Sequence, residues 1–185
     1  MDSPLKGEDI AYFVDNSSPY TYIDRGFDIP ITPTLTTMKI INNFLSIPDF
    51  DRLQQFLLGL DFPWYLKPSI ANHKQGLDQY QFVHTFYNCS KPGLDNWNPI
   101  LQPLLDKLKA NYIFRIKANC RPRTSQGVLS DYHVDMSLNQ QTAIYYLNTN
   151  NGYTKFQDNT LDDVPSVANR LLTFYGGLKH AGTSC

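Results

Sequence analysis

Glutamate is nearly missing from this chain. Glu8 stands alone among the 17 acidic residues, so every carboxylate after it is an aspartate with a short reach from the backbone. Cysteine is scarce too. Cys89, Cys120 and Cys185 are an odd number at wide spacing, which excludes a disulfide framework and a CxxC zinc site and fits a reducing compartment. No run approaches the ~18 apolar residues of a membrane-spanning helix, and Met1 to Glu8 lacks the apolar core of a signal peptide. The expectation is a soluble, cytoplasmic protein. Neither sign of charge dominates. A net charge of −1 provides no global positive field for a polyanion, so nucleic acid is not an expected partner. Histidine is limited to His73, His84, His133 and His180, and a metal site built on imidazole has few residues to draw on.

What is present is apolar and aromatic. The 185 residues are 42% hydrophobic, with 12 Tyr and 11 Phe. That suffices for one domain with one substantial core and argues against general disorder. Residues 1–35 carry four prolines and isolated tyrosines without sustained periodicity. They are expected to be an N-terminal extension, with at most short strands, lying outside the main core. Residues 36–185 form the domain proper.

Within it, Lys39 to Leu45 reads as a strand. Ser46 and Asp49 supply a capping box for a helix whose apolar face is Phe50, Leu53, Phe56, Leu57 and Leu60. The aromatic cluster Phe62-Pro63-Trp64-Tyr65 is read as core packing, and His73 and His84 as loop or core residues. Gln79 to Tyr87 forms a strand. A second helix spans Pro99 to Ala110, with Ile100, Leu101, Leu104, Leu105 and Leu108 on its buried side. From Tyr112 the period changes to 2. Tyr112, Phe114, Ile116, Ala118 and Cys120 face one way, and Ile113, Arg115, Lys117, Asn119 and Arg121 the other. Thr142 to Asn148 follows as a strand. The turn Asn148-Thr149-Asn150-Asn151-Gly152 should return Tyr153 to Phe156 as its hairpin partner, and Arg170 to Tyr175 is a further strand. Helices first and strands after predict an α+β fold with an antiparallel sandwich or barrel.

Chemistry concentrates in Asp131-Tyr132-His133-Val134-Asp135 and Leu178-Lys179-His180. In a strand, alternate side chains share a face, so His133 and Asp135 would converge on one point. Gly176 and Gly177 permit the sharp turn that brings His180 in from a distant strand. Two imidazoles and one carboxylate on one face of a metal leave positions open, which suits non-haem Fe(II).

With these motifs, residues 38–185 resemble the iron(II)/2-oxoglutarate-dependent dioxygenase superfamily in its prolyl-hydroxylase-like branch, and are similar to small phage-type oxygenases. The likeness is carried by HxD, Thr-Ala-Ile-Tyr-Tyr-Leu-Asn, the return Gly152-x-Thr154-x-Phe156, Asn-Arg-Leu-Leu-Thr-Phe and His180. The resemblance implies a double-stranded β-helix, or jelly roll, with helices buttressing one sheet. It implies Fe(II) on His133, Asp135 and His180, with 2-oxoglutarate as cosubstrate and O2 as oxidant. Tyr146 would contact the far carboxylate of 2-oxoglutarate, and Asn119 and Arg121 would line the cosubstrate or substrate site.

The family also places an Arg or Lys anchor for that carboxylate on a closing strand beyond the distal histidine, whereas Cys185 comes five residues after His180. The expectation is a C-terminally truncated domain with an open sheet edge that could pair with a second copy. Arg115, Lys117, Arg121 and Arg170 are the cations that could serve instead. The substrate is expected to be a small molecule or a peptide. Two other readings stand beside this one: a non-catalytic jelly-roll binding module and a metal-dependent hydrolase.

Overall fold

A computed structural model describes residues 10–15, 38–68, 80–90, 99–110, 112–135 and 140–185. In chain order these contain β1 (Ile10–Asp15), β2 (Lys39–Ile41), α1 (Ile47–Leu58), β3 (Tyr65–Lys67), β4 (Gln81–Asn88), a 3-10 turn (Pro99–Leu101) running into α2 (Gln102–Leu108), β5 (Tyr112–Cys120), β6 (Gln141–Tyr146), β7 (Tyr153–Phe156), β8 (Val164–Pro165), β9 (Arg170–Tyr175) and β10 (His180–Gly182). Seven strands form one antiparallel sheet in the order β2-β9-β6-β1-β5-β4-β3, and three form a second in the order β10-β7-β8. The result is a β-rich α+β fold.

The helices cover the outer face of the large sheet. Ser46 caps α1 by accepting from the Asp49 amide at 3.3 Å and donating to Asp49 Oδ2 at 2.6 Å, which satisfies donors that the first turn would otherwise leave bare. Phe50, Leu53 and Leu57 are buried on one side of α1, with Leu101, Leu104 and Leu105 beside them from the second helix. They pack on Ile116, Ala118, Ala143, Tyr145 and Leu171. Each fully buried leucine contributes about 1.5–3 kcal/mol from apolar burial. Leu60, expected on the buried face of α1, is fully exposed: the helix ends at Gly59, where an added Cβ would lie 2.9 Å from the Gln55 carbonyl.

Asn169 fastens this layer. At φ 59° its Oδ1 accepts from the Leu45 amide and the Tyr145 hydroxyl, while its Nδ2 donates to the Leu45 carbonyl. Asn is among the few residues that hold this left-handed conformation at modest cost.

Between the two sheets lies a second core of Ile144, Tyr146, Phe156, Val164, Leu172 and Phe174. Ile144 and Tyr146 therefore share the inward face of β6, as its alternation predicts.

Four expectations need correction. The N-terminal region is not wholly outside the core, because β1 sits in the middle of the large sheet, with Ile10 opposite both Ala118 of β5 and Tyr145 of β6. Its β-prone run Ile10-Ala11-Tyr12-Phe13-Val14 fills an edge that those strands would otherwise leave unpaired. Second, β6 and β7 do not form a hairpin. Both edges of β6 are taken, by β1 and β9, so the Asn-Gly turn carries the chain from one sheet to the other, where β7 pairs with β10 and β8. Third, Asp131 to Asp135 is not a strand: His133 makes a single β-bridge, to His180. Fourth, Phe56 of the expected α1 face is partly exposed at 36%. His84 occupies the core role expected of it, buried with Nδ1 2.9 Å from the Pro63 carbonyl and packed on Phe62 and Phe86. His73 lies outside the described residues.

Candidate metal centre

His133 and His180 face each other across a reciprocal backbone pair. The His133 amide donates to the His180 carbonyl at 2.9 Å, and the His180 amide to the His133 carbonyl at 2.9 Å. Directly opposed residues of an antiparallel pair present their side chains on the same side, and here the two rings sit 4.6 Å apart. The backbone alone therefore brings together two imidazoles 47 positions apart in the sequence.

Each ring is oriented in the same way. His133 Nδ1 donates to the Asp131 carbonyl at 3.2 Å, and His180 Nδ1 to the Leu178 carbonyl at 3.0 Å. Because a carbonyl only accepts, the proton is held on Nδ1, and Nε2 of each ring is turned toward the site. Asp135 completes the group. Its Oδ2 lies 3.1 Å from His180 Nε2 and its Oδ1 3.7 Å from His133 Nε2. One ligand atom from each of the three residues falls within 4.8 Å of the other two, the only such group of at least three His, Cys, Asp or Glu ligands among the described residues. Phe174 and Phe156 wall the His180 ring at 4.8 and 6.3 Å between centroids.

Electrostatics follow from this packing. Burial disfavours a charge on Asp135, but the hydrogen bond from His180, then the charges of His180, His133 and Arg115, outweigh it and hold the carboxyl below its usual range. Burial works against protonated His180 as well, and the hydrogen bond and charge of Asp135 reverse that, leaving the imidazole raised. For His133 burial dominates, aided by the neighbouring charge of His180, and the ring is lowered despite Asp135. Asp135 and His180 thus favour each other's charged forms. Metal ligation would require the imidazole nitrogens to be deprotonated. Two neutral nitrogens and one carboxylate suit a borderline divalent ion such as Fe(II), so the donor set fits.

Around the triad, Arg115 Nη2 stands 3.9 Å from Asp135 Oδ1. Arg121, expected to line the site, donates from Nη1 to the Gly182 carbonyl at 2.8 Å and from Nη2 to the Val128 carbonyl at 3.2 Å. It ties β10, and with it His180, to the loop leading to His133. Tyr146 is fully buried and shares a 2.7 Å hydrogen bond with Thr154 Oγ1. Asn119 Oδ1 and Thr142 Oγ1 are buried without a hydrogen-bond partner among the described residues, so the interior keeps polar capacity for a ligand. Sequence reasoning did not single out Thr142 or the Ser130 and Ser184 hydroxyls that bind the 128–130 backbone to 182–184. Single polar residues in strands carry no pattern that would announce them.

No family model matches this sequence, and no curated protein matches it. Among solved structures, it is similar to a prolyl hydroxylase from Trichoplax adhaerens, determined in complex with a peptide fragment of the hypoxia-inducible factor oxygen degradation domain. The identity is 17% and the TM-score 0.51, over 79% of this chain and 81% of that one. The chain thus has a fold similar to that of a prolyl hydroxylase. No described helix is long and apolar enough to cross a membrane.

Proposed function

We propose that this chain is a non-haem Fe(II)- and 2-oxoglutarate-dependent oxygenase, built on a double-stranded β-helix, that hydroxylates a peptidyl or small-molecule substrate. The observation that carries the reading is the triad itself: two histidines with Nε2 turned inward beside a buried aspartate, at the boundary of an interior that the fold leaves partly polar. Fe(II) with 2-oxoglutarate and O2 would supply the oxidising chemistry.

The protein's own contribution is positional. His133, Asp135 and His180 are the metal ligands, and the carbonyls of Asp131 and Leu178 orient the rings. Arg121 and the His133–His180 backbone pair keep the ligand-bearing segments in register. Tyr146 and Asn119, on the inward faces of β6 and β5, are cosubstrate contacts, with Phe156 and Phe174 excluding water beside His180. A peptidyl substrate is favoured over other classes by the likeness to a prolyl hydroxylase in complex with a peptide fragment.

Anaerobic titration of the protein with Fe(II) and 2-oxoglutarate is expected to give a visible charge-transfer band. Admission of O2 is expected to yield succinate in step with 2-oxoglutarate loss. An absent band, or succinate formation unchanged in His133→Ala, overturns the reading. Metal-dependent hydrolysis with Zn(II) and no succinate would replace it with a hydrolase.

A further inference from the structure

Strands β3, β4 and β5 contain no Asp or Glu, and the charge on their inward face is all positive. Ile116, Ala118 and Phe86 belong to the core under the helices. Alternation therefore turns Arg115, Lys117 and Asn119 of β5 inward, with Gln81, Val83 and Thr85 of β4. Opposed residues share a face, and Thr85 pairs with Lys117, Val83 with Asn119, and Lys67 of β3 with Gln81. The core between the sheets draws on β6, β7, β8 and β9 and takes no residue from β3, β4 or β5. Lys67, Val83, Thr85, Lys117 and Asn119 are each half-buried. This half of the face is a shelf, and it reaches the triad where Arg115 Nη2 stands 3.9 Å from Asp135.

The fold does not balance the charge on the shelf. Lys67 and Arg115 lie close enough to Lys117 for their charges to oppose its own, and Asp135 is the one acidic group felt there. Both imidazoles and Arg115 already engage Asp135. Lys67 and Lys117 form no ion pair with any described residue. The chain as a whole carries −1, so the positive shelf is a local segregation of sign.

We propose that the inward face of β3, β4 and β5 is a docking surface for an acidic peptide, whose carboxylates meet Lys67 and Lys117 while its target residue lies at the triad. This rests on the oxygenase reading and narrows its substrate class. A single exposed ion pair adds little, but a surface of one sign gains from several carboxylates on one ligand. An extended peptide offers alternate side chains about 7 Å apart, the interval at which Arg115 and Lys117 recur along β5. A nucleic acid would need a broader basic surface than three cations provide.

The test is fluorescence anisotropy with the Ni(II)-loaded full chain, which cannot turn over, under saturating 2-oxoglutarate. Three labelled peptides share a central proline and differ in having flanks of aspartate, asparagine or lysine. The aspartate peptide is expected to bind about 10-fold tighter than the asparagine peptide, and the lysine peptide weakest. The preference should shrink as ionic strength rises from about 0.01 M to about 0.15 M. Lys67→Glu should abolish it and leave the asparagine peptide and Ni(II) affinity unchanged, with Lys67→Gln in between. Equal binding of the aspartate and asparagine peptides, or a full preference in Lys67→Glu, overturns the docking surface while succinate formation keeps the oxygenase reading intact. Displacement of the aspartate peptide by oligothymidylate at lower concentration than by unlabelled peptide reassigns the shelf to nucleic acid. An acidic preference in a chain that binds no metal and forms no succinate overturns the oxygenase reading, and the substrate role with it.

Discussion

The space between the two sheets has two unlike halves. On the β6 and β9 side, Ile144, Tyr146, Leu172 and Phe174 close against Phe156 and Val164 in a packed apolar plug. On the β5 side the same inward face carries Arg115, Lys117 and Asn119, partly buried and polar. The triad stands where the halves meet, with Phe174 against His180 and Arg115 near Asp135. One half is made for stability and holds a fixed wall. The other keeps charge under cover at a cost to stability, which is the usual mark of a binding site.

The largest effect that would break this comparison comes from the boundary. Asp135→Ala or His180→Ala should weaken Fe(II) binding by more than about 100-fold, beyond the 10–100-fold typical of outer-shell partners, with the fold retained by circular dichroism. Next is the helix-covered face, which has no part in the site. Leu53→Ala or Leu104→Ala should cost about 2–5 kcal/mol in urea unfolding and leave metal affinity unchanged. If metal affinity falls in step, the outer core and the site are not separable.

The polar half makes a pH signature. Lys117 has a folded value of about 8 against an unfolded one of 10.5, so between those values the unfolded chain binds more protons and stability rises with pH. Below pH 8 the penalty is fully present. Metal-free Lys117→Met should therefore be more stable than the parent at pH 7 by about 1–3 kcal/mol, a gap that closes toward pH 10.5. Equal stability at both pH values would show that the amine is not strained by burial. The smallest effect belongs to the plug. Tyr146→Phe removes one hydrogen bond to Thr154 and should cost about 1 kcal/mol in thermal unfolding, alongside its proposed effect on 2-oxoglutarate affinity.

Local chemistry was legible in the sequence, and pairing was not. The Ser46–Asp49 cap, the buried leucines of α2 and the alternation of β5 could each be read within a dozen residues, because cap geometry and side-chain period are local properties. The pairing of β1 could not, since five β-prone residues do not reveal that β5 and β6 each leave an edge for them. The Asn-Gly turn misled for the same reason: the turn chemistry is right, but the edge of β6 it would have paired with is taken. The triad was legible as three residues of the right kinds. Its support came from elsewhere, from backbone carbonyls at Asp131 and Leu178 and from a β-bridge, none of which depends on side-chain identity.

The reciprocal backbone pair between His133 and His180 has a mechanical consequence. It closes a long loop of chain through backbone hydrogen bonds alone, so on the proposed reading the metal would not have to supply the entropy of that closure. On the proposed reading, a bound ion would act as a clasp on a seam that hydrogen bonds have sewn, from Thr124 and Val128 through Ser130 to Gly182 and Ser184. The segment around His180 would then be the part of the molecule to report most directly whether the proposed metal is bound, since the large sheet is paired independently of it.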